Sequence, residues 1–118
     1  MPKAIRIHKT GGPEVLQWDD VSVADPGPGE ARVRHHAVGL NYTDVYYRIG
    51  VYKLPYPSRL GLEAAGGVEA VGAGVGNVKP GDRVAYANPP VGAYCEVRNI
   101  PAHRLVNLPG NISFDQAA

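Results

Sequence analysis

Cysteine is almost absent from this sequence of 118 residues, in which Cys95 stands alone. A single cysteine excludes an internal disulfide framework and is typical of a reducing compartment. No apolar run approaches the roughly 20 residues that cross a bilayer, and the first residues lack the apolar stretch of a secretory signal. These absences predict a soluble cytoplasmic protein that has no membrane partner.

An excess of one charge is also lacking, because 12 Lys and Arg against 11 Asp and Glu give a formal net charge of +1. Acidic and basic residues are interspersed, which excludes the basic patch expected of a protein that binds nucleic acid or an anionic membrane. The apolar content of 44% is ordinary for a globular protein, and the length suffices for one modest core.

Glycine and proline, in contrast, are abundant, with 15 and 11 residues that punctuate short apolar runs. This pattern predicts many short strands joined by tight turns. Alternation is clearest where Ala31, Val33, His35 and Ala37 share one face of a strand. Further candidate strands cover residues 4–8, 15–23, 61–71, 83–86, 92–97 and 103–108.

One short helix is predicted between Asn41 and Gly50, with Asn41 or Thr43 as its cap and Asp44 in its first turn. A second capped helix begins at Ser113, close to the last residue. Many strands with one short internal helix favour a mainly β fold, closed or sandwiched.

A glycine-rich turn over residues 72–77 superficially resembles a dinucleotide-binding loop. That loop needs a third glycine and a following helix whose amino end faces the pyrophosphate. Asn77 occupies the position of the third glycine, and Pro80 with Gly81 follows in place of a helical pattern. We interpret the segment as a strand-to-strand turn.

Several spaced motifs are similar to those of medium-chain dehydrogenases/reductases: Gly61-x-Glu63-x-x-Gly66-x-Val68-x-x-Val71-Gly72-x-Gly74-Val75, and Gly81-Asp82-Arg83-Val84. Others resemble the zinc-independent, zeta-crystallin-like quinone oxidoreductase branch: residues 9–16, Gly39-Leu40-Asn41-Tyr42, Tyr46-x-Arg48-x-Gly50 and Gly92-Ala93-Tyr94. The resemblance covers essentially the whole chain.

The resemblance implies a GroES-like β-barrel over residues 1–110, with residues 111–118 starting the connection to an NADPH-binding Rossmann domain that this chain lacks. It further implies a homodimeric full-length enzyme that transfers hydride from NADPH to quinones. Two alternatives stay open: an enoyl-thioester or alkenal reductase of the same superfamily, and a non-catalytic β-barrel interaction module. The isolated chain is expected to be inactive, with negligible affinity for NADPH.

Zinc is not expected. The zinc alcohol dehydrogenases of this superfamily place a Cys and a His where this chain has Asn41 and Leu62. Glu63 alone cannot bind Zn²⁺, which needs several converging nitrogen or sulfur ligands. His35 and His36 are neighbours on a strand and so point to opposite faces. Glu63 is instead expected to have a structural role, for instance beside Arg48.

Without a metal, hydrogen-bond donors must stabilise the substrate oxygen that gains charge. Asn41 offers an amide for a substrate oxygen or the cofactor carboxamide, and Tyr46 offers a phenol one helical turn beyond Tyr42 or Thr43. The resemblance places Asn41 and Tyr46 beside the nicotinamide and quinone pocket, with Tyr52 near it. The predicted catalytic residues are Asn41, Tyr46 and Tyr52; the predicted cofactor contacts are Asn41, Tyr42, Thr43 and Tyr46. For Thr43 we favour helix capping over a proton relay, and we expect Tyr47 to serve in packing only.

Overall fold

The computed structural model describes all 118 residues. Helix accounts for only 15% of the chain, which confirms the mainly β prediction. The elements in chain order are β1 (Lys3–Ile7), β2 (Gln17–Asp20), β3 (Glu30–Val38), α1 (Tyr42–Ile49), β4 (Ser58–Arg59), β5 (Ala64–Val71), β6 (Arg83–Tyr86), β7 (Val97–Pro101), β8 (Val106–Asn107) and α2 (Phe114–Ala117).

The strands form two antiparallel sheets, in the orders β2-β1-β4 and β7-β3-β5-β6-β8. Residues 94–96 join them at one side, where Ile5 N–H donates to Tyr94 O at 2.8 Å and Glu96 N–H donates to Lys3 O at 2.9 Å. The edge strands β2 and β8 have no further partner strand. Because these edge strands lack a further partner, the sheets are not closed into the expected barrel.

The core lies on the inner face of the five-stranded sheet. Ala31 and Val33 are fully buried, as the alternation in β3 predicts, and they pack with Val84 and Ile100. Gly66 permits the close approach of β5 to β3, because a Cβ atom there would lie 2.1 Å from a backbone oxygen. The small residues of β5 thus bring two central strands into contact.

Helix α1 forms where the sequence predicts it. Asn41 precedes it with extended backbone, at φ −127° and ψ 150°, and Asp44 lies in its first turn. Gly50 ends it in the left-handed region, at φ 93°, where a side chain would be strained. These local signals need no tertiary contact to be recognised.

Four strand predictions place the ends of the strand wrongly, and in the segment 61–71 the strand begins only at Ala64. In the segment 15–23, Pro13 starts a 3₁₀ turn and only β2 is extended. In the segment 92–97, Cys95 N–H bonds back to Ala93 O at 2.8 Å, so regular pairing begins at Val97, although Ala93 and Cys95 are buried as predicted. In the segment 103–108, a 3₁₀ turn precedes β8.

Helix α2 is capped by Ser113, whose Oγ accepts from Gln116 N–H at 3.1 Å, as its sequence predicts. The Phe114 ring stacks on His36 with 4.2 Å between centroids, and the Arg83 guanidinium lies 4.6 Å above the same ring. These contacts hold the end of the chain against the five-stranded sheet. The domain boundary at residue 110 stays a prediction. Neither helix has the length and apolar character needed to cross a bilayer.

Candidate active site

Three tyrosines form an exposed row on and beside α1, which we call the tyrosine cluster: Tyr42, Tyr46 and Tyr52. The Tyr46 ring is 37% exposed and lies between the others, with edge-on contacts at 5.3 Å to Tyr42 and 5.8 Å to Tyr52. The structure therefore brings together three of the predicted site residues. Because each phenol is accessible, the cluster can meet a ligand from solvent.

The chain reverses tightly after α1, which returns Tyr52 to the helix. The carbonyl of Tyr46 accepts from the N–H groups of Gly50, Val51 and Tyr52, at 3.1, 2.9 and 3.4 Å. Tyr47, one position along the helix, turns inward against the buried cluster of Ile7, Val15 and Leu60. The ring of Tyr47 also contacts that of Tyr52, with 5.3 Å between centroids, so Tyr47 packs as predicted, while its having no other role stays a prediction.

Asn41 lies at the amino end of the helix that carries Tyr42 and Tyr46 and is partly exposed. Its backbone N–H donates to Asp44 Oδ2 at 3.1 Å. Thr43 is the second residue of α1, so the prediction that it caps the helix is wrong. The cap position requires the extended backbone found at Asn41, two residues earlier.

Sequence reasoning overlooked a buried polar group beneath this site. Asp44 is 4% exposed, and its Oδ2 also accepts from the hydroxyl of Tyr94. Burial, followed by the hydrogen bond to Asp44, raises the pKa of the Tyr94 phenol above its ordinary value, so that the phenol stays a donor. The spacing Asn41-x-x-Asp44, typical of a capping box, was the available signal for Asp44; nothing local indicated Tyr94.

The expected pairing of Glu63 with Arg48 is absent, since Glu63 forms no ion pair within 4.0 Å. The Glu63 side chain instead lies against Gly39, where a Cβ atom would come within 2.0 Å of Oε1. Arg48 packs beside Asp44 along a small apolar pocket, and its Nη1 is buried without a hydrogen-bond partner.

The histidines are separated as expected. His35 Nδ1–H donates to Cys95 O at 2.8 Å, and Nε2 accepts from the Tyr86 hydroxyl at 3.0 Å, while His36 lies on Phe114 at the other face. Burial lowers the pKa of His35 to about 4 and raises that of the Cys95 thiol, which therefore lacks thiolate character. No three His, Cys, Asp or Glu side chains lie close enough together to share a metal ion.

The glycine-rich turn over residues 72–77 leads directly to β6 without an intervening helix. This agrees with its interpretation as a connection between strands. Accordingly, the chain contains the tyrosine cluster and the Asn41 amide but no phosphate-binding helix start of the dinucleotide type.

Known proteins are similar to this chain over nearly its whole length. A quinone oxidoreductase of Pseudomonas aeruginosa is 54% identical over all of this chain and 37% of its own length. A 2-haloacrylate reductase of a Burkholderia species is 41% identical over 98% of this chain and 36% of its own length. The crystal structure of Escherichia coli quinone oxidoreductase complexed with NADPH matches with a TM-score of 0.95 at 50% identity, over 98% of this chain and 36% of that one.

The chain thus spans little more than a third of the relatives that it matches. The family model of the alcohol dehydrogenase GroES-like domain matches residues 27–110, which include β3, α1, the tyrosine cluster and β4 to β8. The chain belongs to the alcohol dehydrogenase GroES-like domain family.

Proposed function

We propose that this chain is the substrate-side, amino-terminal part of a cytoplasmic, homodimeric enzyme that reduces quinones with NADPH and uses no zinc. The observation that carries the proposal is the tyrosine cluster, exposed on the helix that Asn41 begins. Identity of 54% to a quinone oxidoreductase supports the same activity.

The chemistry of the cluster suits a flat, aromatic acceptor. Tyrosine rings can contact a quinone edge-on or in an offset stack, and their hydroxyls can donate to its carbonyl oxygens. The Asn41 amide has both a donor and an acceptor, which matches the carboxamide of a nicotinamide ring. These groups would orient the acceptor and stabilise the negative charge that develops on its oxygen.

The same donor set fits the nicotinamide end of NADPH, with Asn41, Tyr42, Thr43 and Tyr46 as the proposed contacts. When bound, NADPH supplies the hydride. This chain has no dinucleotide-type loop for the phosphates, so most of the cofactor's affinity must come from other residues. The absence of zinc in the proposal rests on Asn41 and Leu62, which replace the Cys and His of the zinc enzymes that the sequence resembles.

The first test replaces Asn41 with Ala and Tyr46 with Phe in the full-length protein. We expect kcat/KM for a benzoquinone to fall about 10-fold or more in each, as for loss of a donor to a developing oxyanion. Tyr47→Phe is the matched control, since its ring packs inward. Unchanged kinetics in both variants, with unchanged melting temperatures, would remove the tyrosine cluster and Asn41 from the active site.

A second candidate function is reduction of unsaturated carbonyl compounds, favoured by the 41% identity to a 2-haloacrylate reductase. Turnover of benzoquinones, 2-haloacrylates and enoyl thioesters should be compared under the same conditions. A higher kcat/KM for either of the last two would replace the quinone proposal. Failure of the full-length protein to bind NADPH would instead favour a non-catalytic module.

A further inference from the structure

Asp44 occupies an unusual position for a residue in the first turn of a helix. A carboxylate there ordinarily accepts from the N–H groups at the start of the helix while it remains exposed to water, and this modestly stabilises the helix. Asp44 is instead 4% exposed, and its Oδ1 has no hydrogen-bond partner. Removing a carboxylate from water is unfavourable, and the loss of solvation exceeds what such a cap contributes. Capping alone does not account for this burial.

The other oxygen of Asp44 receives two hydrogen bonds from parts of the chain far apart in sequence. Oδ2 accepts from the backbone N–H of Asn41 at 3.1 Å and from the hydroxyl of Tyr94. One carboxylate oxygen therefore connects the residue that begins α1 to the segment that joins the two sheets.

Tyr94 is itself held firmly on both sides. Its N–H donates to Leu60 O at 2.9 Å, and its carbonyl accepts from Ile5 N–H at 2.8 Å. The phenol remains protonated at neutral pH, since burial and the neighbouring carboxylate raise its pKa. The Tyr94 hydroxyl, fixed where the two sheets join, therefore donates to Asp44. The same carboxylate oxygen of Asp44 accepts from the backbone N–H of Asn41.

We propose that Asp44 is a positioning residue, whose carboxylate, held by the Tyr94 hydroxyl, sets the backbone of Asn41 and so aims its amide at the substrate. The inference rests on the proposed function, in which Asn41 touches substrate or cofactor.

A double-mutant cycle in the full-length protein tests the proposal. Asp44→Asn should lower kcat/KM about 10-fold in the otherwise unchanged protein, because its neutral amide oxygen accepts more weakly than a carboxylate from Asn41 N–H and the Tyr94 hydroxyl, and small misplacements of an orienting group are costly. In the Asn41→Ala background the same change should have an effect below about 2-fold, because the Asn41 amide through which Asp44 would act on the substrate is absent. Asp19→Asn, which removes a carboxylate that Arg6 and His8 contact on β2, is the control and should leave kcat/KM unchanged.

Tyr94→Phe removes only the hydroxyl and keeps the ring, so it serves if Asp44→Asn fails to fold. It should lower kcat/KM in the same direction, again with little further effect when Asn41 is Ala. An equal loss from Asp44→Asn in both backgrounds, or no loss in either, overturns the positioning role. A normal rate for Asn41→Ala alone instead contradicts the proposed site itself.

Hydrogen exchange provides a readout that does not depend on activity. In both Asp44→Asn and Tyr94→Phe, the backbone amide of Asn41 should exchange about 10-fold faster, while that of Val33 in the core of β3 keeps its rate. Unchanged exchange at Asn41 in both variants would show that the Asp44 carboxylate does not hold this backbone, and would overturn the proposal whatever the substrate proves to be.

Discussion

His35 illustrates, at the scale of one residue, how burial changes the chemistry of a side chain. Its two ring nitrogens are both occupied, by Cys95 O and the Tyr86 hydroxyl, and its ring is partly withdrawn from solvent. The Arg98 guanidinium, itself buried, lies beside Tyr86 and donates to Pro90 O at 3.1 Å. Burial accordingly holds His35 neutral, in a network that ties β3 to the segment before β7.

The network predicts a pH-dependent stability. The pKa of His35 is about 4 in the folded chain against an ordinary 6.5, so below pH 6.5 the unfolded chain binds a proton that the folded chain does not. The free energy of unfolding should therefore fall between pH 6.5 and pH 4, by up to about 3 kcal/mol, and this contribution should level off below pH 4. Urea unfolding at a series of pH values measures it.

His35→Gln is the matched control, because glutamine keeps a donor and an acceptor but does not titrate in this range. Its free energy of unfolding should decline less over the same interval. Equal pH profiles for the two proteins would show that His35 does not cause the loss.

At the scale of the element, patterns within a few residues correctly predicted the helix and the strand face that depend on near neighbours in sequence. Helix α1 lies where its cap and its terminal glycine place it, and the alternation in β3 identifies Ala31 and Val33 as core residues. The ends of β2 and β7 were predicted less well, because a 3₁₀ turn and the bond from Cys95 N–H to Ala93 O replace regular pairing there. Such turns leave no periodic pattern in sequence.

The strands of the five-stranded sheet differ sharply in how much they contribute to the core. Ile100 in β7 is fully buried, whereas Val106 in β8 is 64% exposed. Ile100→Ala should lower the free energy of unfolding by about 2–5 kcal/mol, since it removes buried methyl groups and leaves a cavity. Val106→Ala should change it by less than about 0.5 kcal/mol. Chemical denaturation of both variants provides the measurement, and similar losses would contradict this assignment of the core.

At the scale of the whole molecule, apolar side chains remain exposed around α1. Leu40, Tyr42 and Val51 are 81%, 72% and 61% exposed, close to the tyrosine cluster. Contiguous exposed apolar surface of this kind is typical of a face that binds a ligand or another protein surface. The structure has such a patch at α1 and open sheet edges at β2 and β8.

The isolated chain should bind NADPH negligibly. Its glycine-rich turn lacks the helix start whose N–H groups hold a pyrophosphate, and the contacts proposed for Asn41 and the tyrosine cluster are with the nicotinamide end only. Titration with NADPH followed by its fluorescence should show no saturable change at concentrations that saturate the full-length protein. Comparable affinity in the isolated chain would mean that the phosphates bind to residues described here, contrary to the proposal.

The sequence by itself determined the mainly β class, the position and both ends of α1, the inward face of β3 and the family, because these follow from neighbours within a few residues and from spaced motifs. It also singled out Asn41, Tyr46 and Tyr52, whose catalytic roles remain predictions. Only the tertiary structure decided that the sheets stay open, that Tyr52 folds back onto Tyr46, and that Tyr94 donates to Asp44. Contacts between residues fifty positions apart depend on how strands pack, and no local pattern encodes that packing.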